Sequence, residues 1–228
     1  MVTAAVQAQE SSCPVEPPRD ERFLLRAVDW QAYRKISEAL SGHHVRLTYD
    51  RGNLEFMTIS YAHGNLGRLL GRLIVVLTEE LALPIRSCGD MTCDREDLER
   101  GLEPDDCFYL HHESLIRHKE EIDLAVDPPP DLATEIDISR SSSRRLVIYA
   151  ALRVPEVWRF DGQILHIHRL QENGQYVEMR ESLYFPALAL QELAACLQRR
   201  AQMDENSLVR AFREWVREQI GKGWRTGP

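Results

Sequence analysis

The chain has 228 residues, 43% of them apolar and 28% charged, and 28 Lys+Arg against 36 Asp+Glu leave a formal charge of −8. That length is enough to bury one sizeable core. The apolar runs fall short of the roughly 20 residues a bilayer-spanning helix needs, and the acidic balance excludes coating nucleic acid through bulk charge, though not a local basic groove.

Met1 to about Arg22 is rich in Ala, Gln, Ser, Pro and Glu and reads as a mobile tail. It has neither the basic start nor the long apolar stretch of a signal peptide. The five cysteines (Cys13, Cys88, Cys93, Cys107, Cys196) are odd in number and lack CxxC or zinc spacing. Together these features predict a reducing, cytoplasmic setting. Asp29 is placed to cap a helix over Trp30–Leu40, which Gly42 closes. Two alternating runs, 44–49 and 53–59, flank Asp50-Arg51-Gly52 as a hairpin. From about His63 to Leu81, Leu66, Leu69, Leu70, Leu73, Ile74 and Leu77 make a broad apolar helix face.

Beyond Pro84 the spacing predicts strand over 85–93, a charged loop over 94–103 and strand over 105–110. Leu132-Ala-Thr-Glu-Ile-Asp-Ile138 is short, mostly apolar and bounded by turn formers, as a central strand buried on both faces should be. A helix over about 144–152 follows, then a meander over 155–160, 163–170 and 176–182, and helices over 190–198 and 205–220. The expected fold is one α/β domain with a mixed central sheet flanked by helices. It spans 23–200, after a tail over 1–22 and before a helical extension over 201–228.

Two acidic spots carry the chemistry. Asp105 and Asp106 lead into a strand, and Glu135 and Asp137 share one face of the apolar strand. A carboxylate in such a strand needs a cation, hydrogen bonds or water to offset several kcal/mol of desolvation. Carboxylates converging from neighbouring strands make a hard-oxygen pocket suited to Mg²⁺. The plainer expectation is ion pairing of Glu135 and Asp137 with arginines such as Arg144 and Arg145. His166 and His168 share a strand face but have no third ligand nearby. Arg68, Arg72, Arg86 and Arg100 read as solvated surface in preference to a phosphate groove, and Cys107 as a small buried filler.

The blocks Glu-Pro-Asp-Asp-Cys-Phe-Tyr (103–109), Pro-Pro-Asp-Leu-Ala-Thr-Glu-Ile-Asp-Ile-Ser (129–139) and Ile-Tyr-Ala-Ala-Leu-Arg-Val-Pro-Glu-Val-Trp-Arg-Phe-Asp (148–161) occur in that order. They resemble the Uma-type restriction endonucleases of the PD-(D/E)XK nuclease superfamily, over about residues 27–198. The resemblance implies a restriction-endonuclease-like core and a Mg²⁺-dependent DNA endonuclease, with Mn²⁺ as a substitute ion. Asp105, Glu135 and the backbone carbonyl of Ile136 would hold the metal. Asp137 would lie in the outer shell, and Glu55 and His63 would be auxiliary residues. The superfamily lysine is absent, because Asp137 stands two positions after Glu135. The cation shifts to Arg145, four residues before Tyr149, where it would contact the scissile phosphate. Arginine keeps the charge but is a poor proton acceptor. The resemblance further implies duplex DNA as partner, a 5′-phosphate product and a homodimer, with no membrane association. The competing expectation is a weakened nuclease-fold protein that binds nucleic acid or a protein without cutting.

Overall fold

A computed structural model describes residues 20–138, 143–186 and 188–224. Asp29 caps α1 (Trp30–Leu40), its carboxylate accepting from the Ala32 N–H at 2.7 Å. β2 (Val45–Asp50) and β3 (Asn53–Thr58) form the expected hairpin, turning at Arg51 and Gly52, both at positive φ, as a tight two-residue hairpin turn requires. α2 (Tyr61–Glu80) begins slightly before the expected start, because Ser60 caps it by accepting from the His63 N–H at 3.3 Å.

The segment expected as a charged loop instead contributes β5 (Cys93–Arg95), a 3-10 turn and β6 (Arg100–Leu102). Its charges are satisfied along the strand edges, with Arg100 Nε 2.8 Å from Asp50 Oδ1 and Arg95 bound to Asp97, so polarity hides the strands. β1 (Arg22–Leu25) carried no sequence signal, and the single turn α3 (Glu113–Ile116) begins after His111-His112, which reads as a loop or a helix start. The remaining elements are β4 (Arg86–Ser87), β7 (Asp106–Tyr109), β8 (Leu132–Ile136), α4 (Ser143–Ala151), β9 (Glu156–Phe160), β10 (Leu165–Leu170), β11 (Tyr176–Met179), α5 (Leu190–Gln198) and α6 (Glu205–Gly221).

The strands make two sheets where the sequence suggested one. A six-stranded sheet runs β11-β10-β9-β8-β7-β4, mixed because β8 and β9 pair in parallel across α4. An antiparallel five-stranded sheet runs β1-β3-β2-β6-β5. On one face of the mixed sheet, Leu66, Leu70 and Leu73 of α2 share a core with Phe108, Leu132, Ile136 and Trp158 and with residues of α5 and α6. On the other face, Ala133, Cys107 and Val157 pack with Ile148 and Tyr149 of α4, with Leu152 just after it, and with Cys93 and Leu102 of the second sheet.

α2 lies tight against β7, since a Cβ on Gly71 would meet Asp106 Oδ2 at 2.5 Å. α6 packs on α2 through Leu208, Phe212 and Val216 and is pinned by Arg213 and Arg217 to Glu79 and Glu80. Of the segment read as a tail, residues 20–22 belong to the fold through β1 and Asp20, and 1–19 lie outside the described residues. Among the described residues, no helix is long and apolar enough to cross a membrane.

Candidate active site

Four elements converge at one end of the mixed sheet. β7 and β8 are antiparallel, with Asp106 opposite Thr134. Just before β7, Asp105 donates its N–H to the Thr134 carbonyl at 3.2 Å, and its Oδ2 accepts from the Ile136 N–H at 2.7 Å. Its carboxylate is therefore folded over the end of β8. Strand alternation sends Leu132 and Ile136 toward α2 and Ala133 toward α4. Glu135 follows Ala133: its Oε1 accepts from the Tyr149 hydroxyl and lies 2.9 Å from Arg145 Nη2, both on α4.

His63, in the first turn of α2, bridges two carboxylates. Its Nδ1 lies 2.8 Å from Asp20 Oδ2 and its Nε2 lies 2.9 Å from Asp105 Oδ1. The second contact has ion-pair distance without hydrogen-bond alignment. Asp20 also accepts from the Ser60 N–H at 2.9 Å, tying the chain before β1 to the start of α2. From the second sheet, Arg46 on β2 places Nε 3.9 Å from Asp105 Oδ1 and Nη1 2.8 Å from Asp90. The side chains of His63, Asp105, Glu135 and Arg145 are 1%, 4%, 2% and 3% exposed. The site is closed.

Burial sets the electrostatics. It pushes the Glu135 carboxyl up to about 7; the Arg145 charge opposes this and the Asp105 charge adds to it. Burial acts the same way on Asp105, but His63, Arg145 and the Ile136 N–H outweigh it and hold Asp105 below the usual range. For His63, burial disfavours the cation, yet Asp105 and Asp20 raise it to about 9. The neighbouring carboxylates, Glu135 foremost, raise Arg145 against its burial. The Asp105 charge thus adds to the rise of Glu135, and Arg145, His63 and Arg46 supply the balancing positive charge.

The hard-oxygen donors, and a buried Glu135 whose carboxyl is raised by burial and further by the Asp105 charge, fit a Mg²⁺-like ion, which needs only one or two carboxylates plus water and substrate oxygens. They do not make a side-chain cage: among the described residues no three His, Cys, Asp or Glu gather as a metal cluster. Arg145 already occupies Glu135, so an incoming ion must compete with its guanidinium.

Asp105, Glu135, Arg145 and His63 come together as the sequence suggested, but Arg145 does not face an open phosphate site. It is buried against Glu135 and donates to the Glu103 carbonyl at 2.5 Å, because the carboxylate attracts it more strongly than solvent does. Asp137 pairs with Arg159 on β9, whose Nε donates to Oδ2 at 2.9 Å, and its charge adds to the rise of Glu135. Glu55 faces Arg22 at 3.0 Å in the other sheet and makes no described contact with the site. Ile136 meets Asp105 through its N–H.

Asp20, Arg46 and the anchoring role of Tyr149 were missed. Asp20 lay within a Pro-rich stretch, and Arg46 alternated like any strand residue. Of the four scattered arginines, Arg72 pairs with Glu205, Arg86 caps the carbonyls of Ile116, Arg117 and Lys119, and Arg100 pairs with Asp50. His166 binds Glu178 and Asp161, and His168 lies against Arg159. An open cavity of 1210 Å³ adjoins the site through Arg46 and Glu103, but its acidic lining residues outnumber its basic ones.

A family model described as "Uma2: Putative restriction endonuclease" matches residues 30–202. Among solved structures, one described as a putative nuclease belonging to DUF820 from Anabaena variabilis ATCC 29413 is similar at 15% identity and a TM-score of 0.44. That similarity covers 73% of this chain and 90% of the other. No curated protein matches.

Proposed function

The family match spans most of the chain, which belongs to the Uma2 restriction endonuclease family, and we propose that it is a divalent-metal-dependent endonuclease acting on duplex DNA at the Asp105–Glu135 site. The observation that carries this reading is the buried pair itself. Glu135 and Asp105 come from adjacent strand ends, and burial, with the Asp105 charge adding to it, raises Glu135 to about 7. Asp105, Glu135 and the Ile136 carbonyl would hold Mg²⁺ or Mn²⁺. Bound there, the ion would lower the pKa of a water and neutralise charge developing on a phosphodiester.

The chain's own residues prepare that site. His63, fixed from behind by Asp20, and the Ile136 N–H hold the Asp105 carboxylate in place and ionised. Tyr149 fixes Glu135 Oε1. Arg145 neutralises Glu135, and among the described residues its buried Nε has no hydrogen-bond partner. It therefore has an N–H to spare for a phosphate oxygen, although its permanent charge makes it a poor base. A homodimer would place two such sites on the two strands of a duplex.

A second reading is favoured by the same Arg145 contact. A guanidinium buried on Glu135 can replace the metal altogether, leaving a nuclease-fold protein that binds DNA without cutting. Supercoiled plasmid incubated with Mg²⁺ or Mn²⁺ separates the two. The enzyme reading expects metal-dependent nicking that disappears in Glu135→Ala and rises in Arg145→Lys. Plasmid binding with no nicking by the native chain at any metal concentration supports the second reading.

A further inference from the structure

Three cysteines meet on the α4 side of the mixed sheet, and the nuclease reading uses none of them. Cys93 and Cys107 are fully buried there, and Cys88 packs against the same cluster. The β4–β7 register pairs Arg86 with Tyr109 and Ser87 with Phe108. One step further brings Cys88 opposite Cys107, and the Cys88 N–H donates to the Cys107 carbonyl at 2.9 Å.

Directly opposed residues of an antiparallel pair point to the same face. The Cys107 N–H itself donates to Asp106 Oδ1 at 2.8 Å, and opposed Cα atoms of an antiparallel pair lie about 4.5–5.5 Å apart, inside the roughly 4.4–6.8 Å window of disulfides. The Cys107 thiol donates to the carbonyl of Gly89, the residue after Cys88, at 3.6 Å. The environments are unequal. Cys88 is half-buried and lines the 1210 Å³ cavity, whereas Cys93 and Cys107 are sealed. The neighbouring Cys107 thiol, and after it the Arg86 charge, lower the Cys88 thiol against its burial. β4 is a two-residue edge strand, and Gly89 follows at φ +58° with open space around it, so the edge can close by the small shift a bond requires.

We propose that Cys88 and Cys107 form a reversible redox pair, in which a hydroperoxide oxidises Cys88 and Cys107 resolves it to a cross-strand disulfide. The Cys88 thiolate attacks the terminal peroxide oxygen and breaks the O–O bond, giving a sulfenic acid and water or alcohol. The Cys107 sulfur then attacks the Cys88 sulfur, forming S–S and breaking S–O. The leaving hydroxide takes the Cys107 proton and departs as water. Two thiols lose two electrons and one peroxide gains them. The bond ties edge strand β4 to the strand that follows Asp105.

The test uses the full chain, treated with hydrogen peroxide, alkylated under denaturing conditions and mapped by mass spectrometry without reduction. The expected product is a Cys88–Cys107 linked peptide, reversed by dithiothreitol. It should persist in Cys93→Ser, while Cys88→Ser should leave Cys107 as a free thiol. The proposal is overturned if Cys88 goes to sulfinic or sulfonic acid while Cys107 stays free, if either cysteine pairs elsewhere, or if no thiol reacts. Cys88 is half-buried, so its serine variant should fold; circular dichroism checks this.

Discussion

Glu135 and Glu156 lie on neighbouring parallel strands, β8 and β9, and both are fully buried, yet they are held in opposite ways. Glu156 is fixed chiefly by neutral donors, Trp158 Nε1–H at 2.7 Å, the Ser182 hydroxyl at 2.6 Å and the Leu183 N–H at 2.6 Å, with Arg169 Nε farther off at 3.9 Å. It latches the turn after β11 onto the sheet. Burial raises its carboxyl, and those hydrogen bonds counter the rise. Glu135 instead faces a second carboxylate and relies on the Arg145 charge and one hydroxyl. A buried acid does not by itself mark a site. A buried acid opposed by another acid, and balanced by a guanidinium, is the feature the proposed metal would use.

The largest expected difference follows from removing that cation. Arg145→Met leaves Glu135 and Asp105 without their shared counter-charge, which should cost about 3–5 kcal/mol in the presence of chelator. Added Mg²⁺ should restore part of the loss in a urea unfolding series; restoration by Na⁺ at matched ionic strength instead would break the comparison. A smaller effect is expected at the latch. Glu156→Ala strands three donors and should cost about 1–3 kcal/mol, with the same deficit in chelator and in Mg²⁺. A metal-dependent deficit there would mean the two acids are not distinct.

The mildest test is pH. His63 is raised to about 9 by Asp105 and Asp20 against its burial. Its contribution to stability is therefore complete below its unfolded pKa of about 6.5 and is lost as pH rises through about 9. The native chain should lose melting temperature across that interval more steeply than His63→Gln. Equal slopes would place the charge of His63 outside the site's balance.

Much of the scaffold was legible in the sequence, for physical reasons. The run Leu132–Ile138 is apolar because β8 is covered on both faces, and α2 shows a broad leucine face because it lies on the sheet. β5 and β6 were illegible because their charged residues pair at strand edges and mimic a loop. Asp105 and Glu135 stood out as acids beside apolar strands. Glu156 did not, since nothing near it in sequence announces that Ser182 and Leu183 come back to meet it. Asp20 was hidden in the same way: its partners Ser60 and His63 are about forty positions away along the chain.

Calorimetric titration of Mn²⁺ into the full-length chain addresses the central claim most directly. One ion bound per chain by the native protein, and none by a Glu135→Gln variant whose circular dichroism and unfolding midpoint show it folded, is the predicted result. No binding by the native chain, or equal binding by both, would contradict the assignment of the Asp105–Glu135 pair as a metal centre.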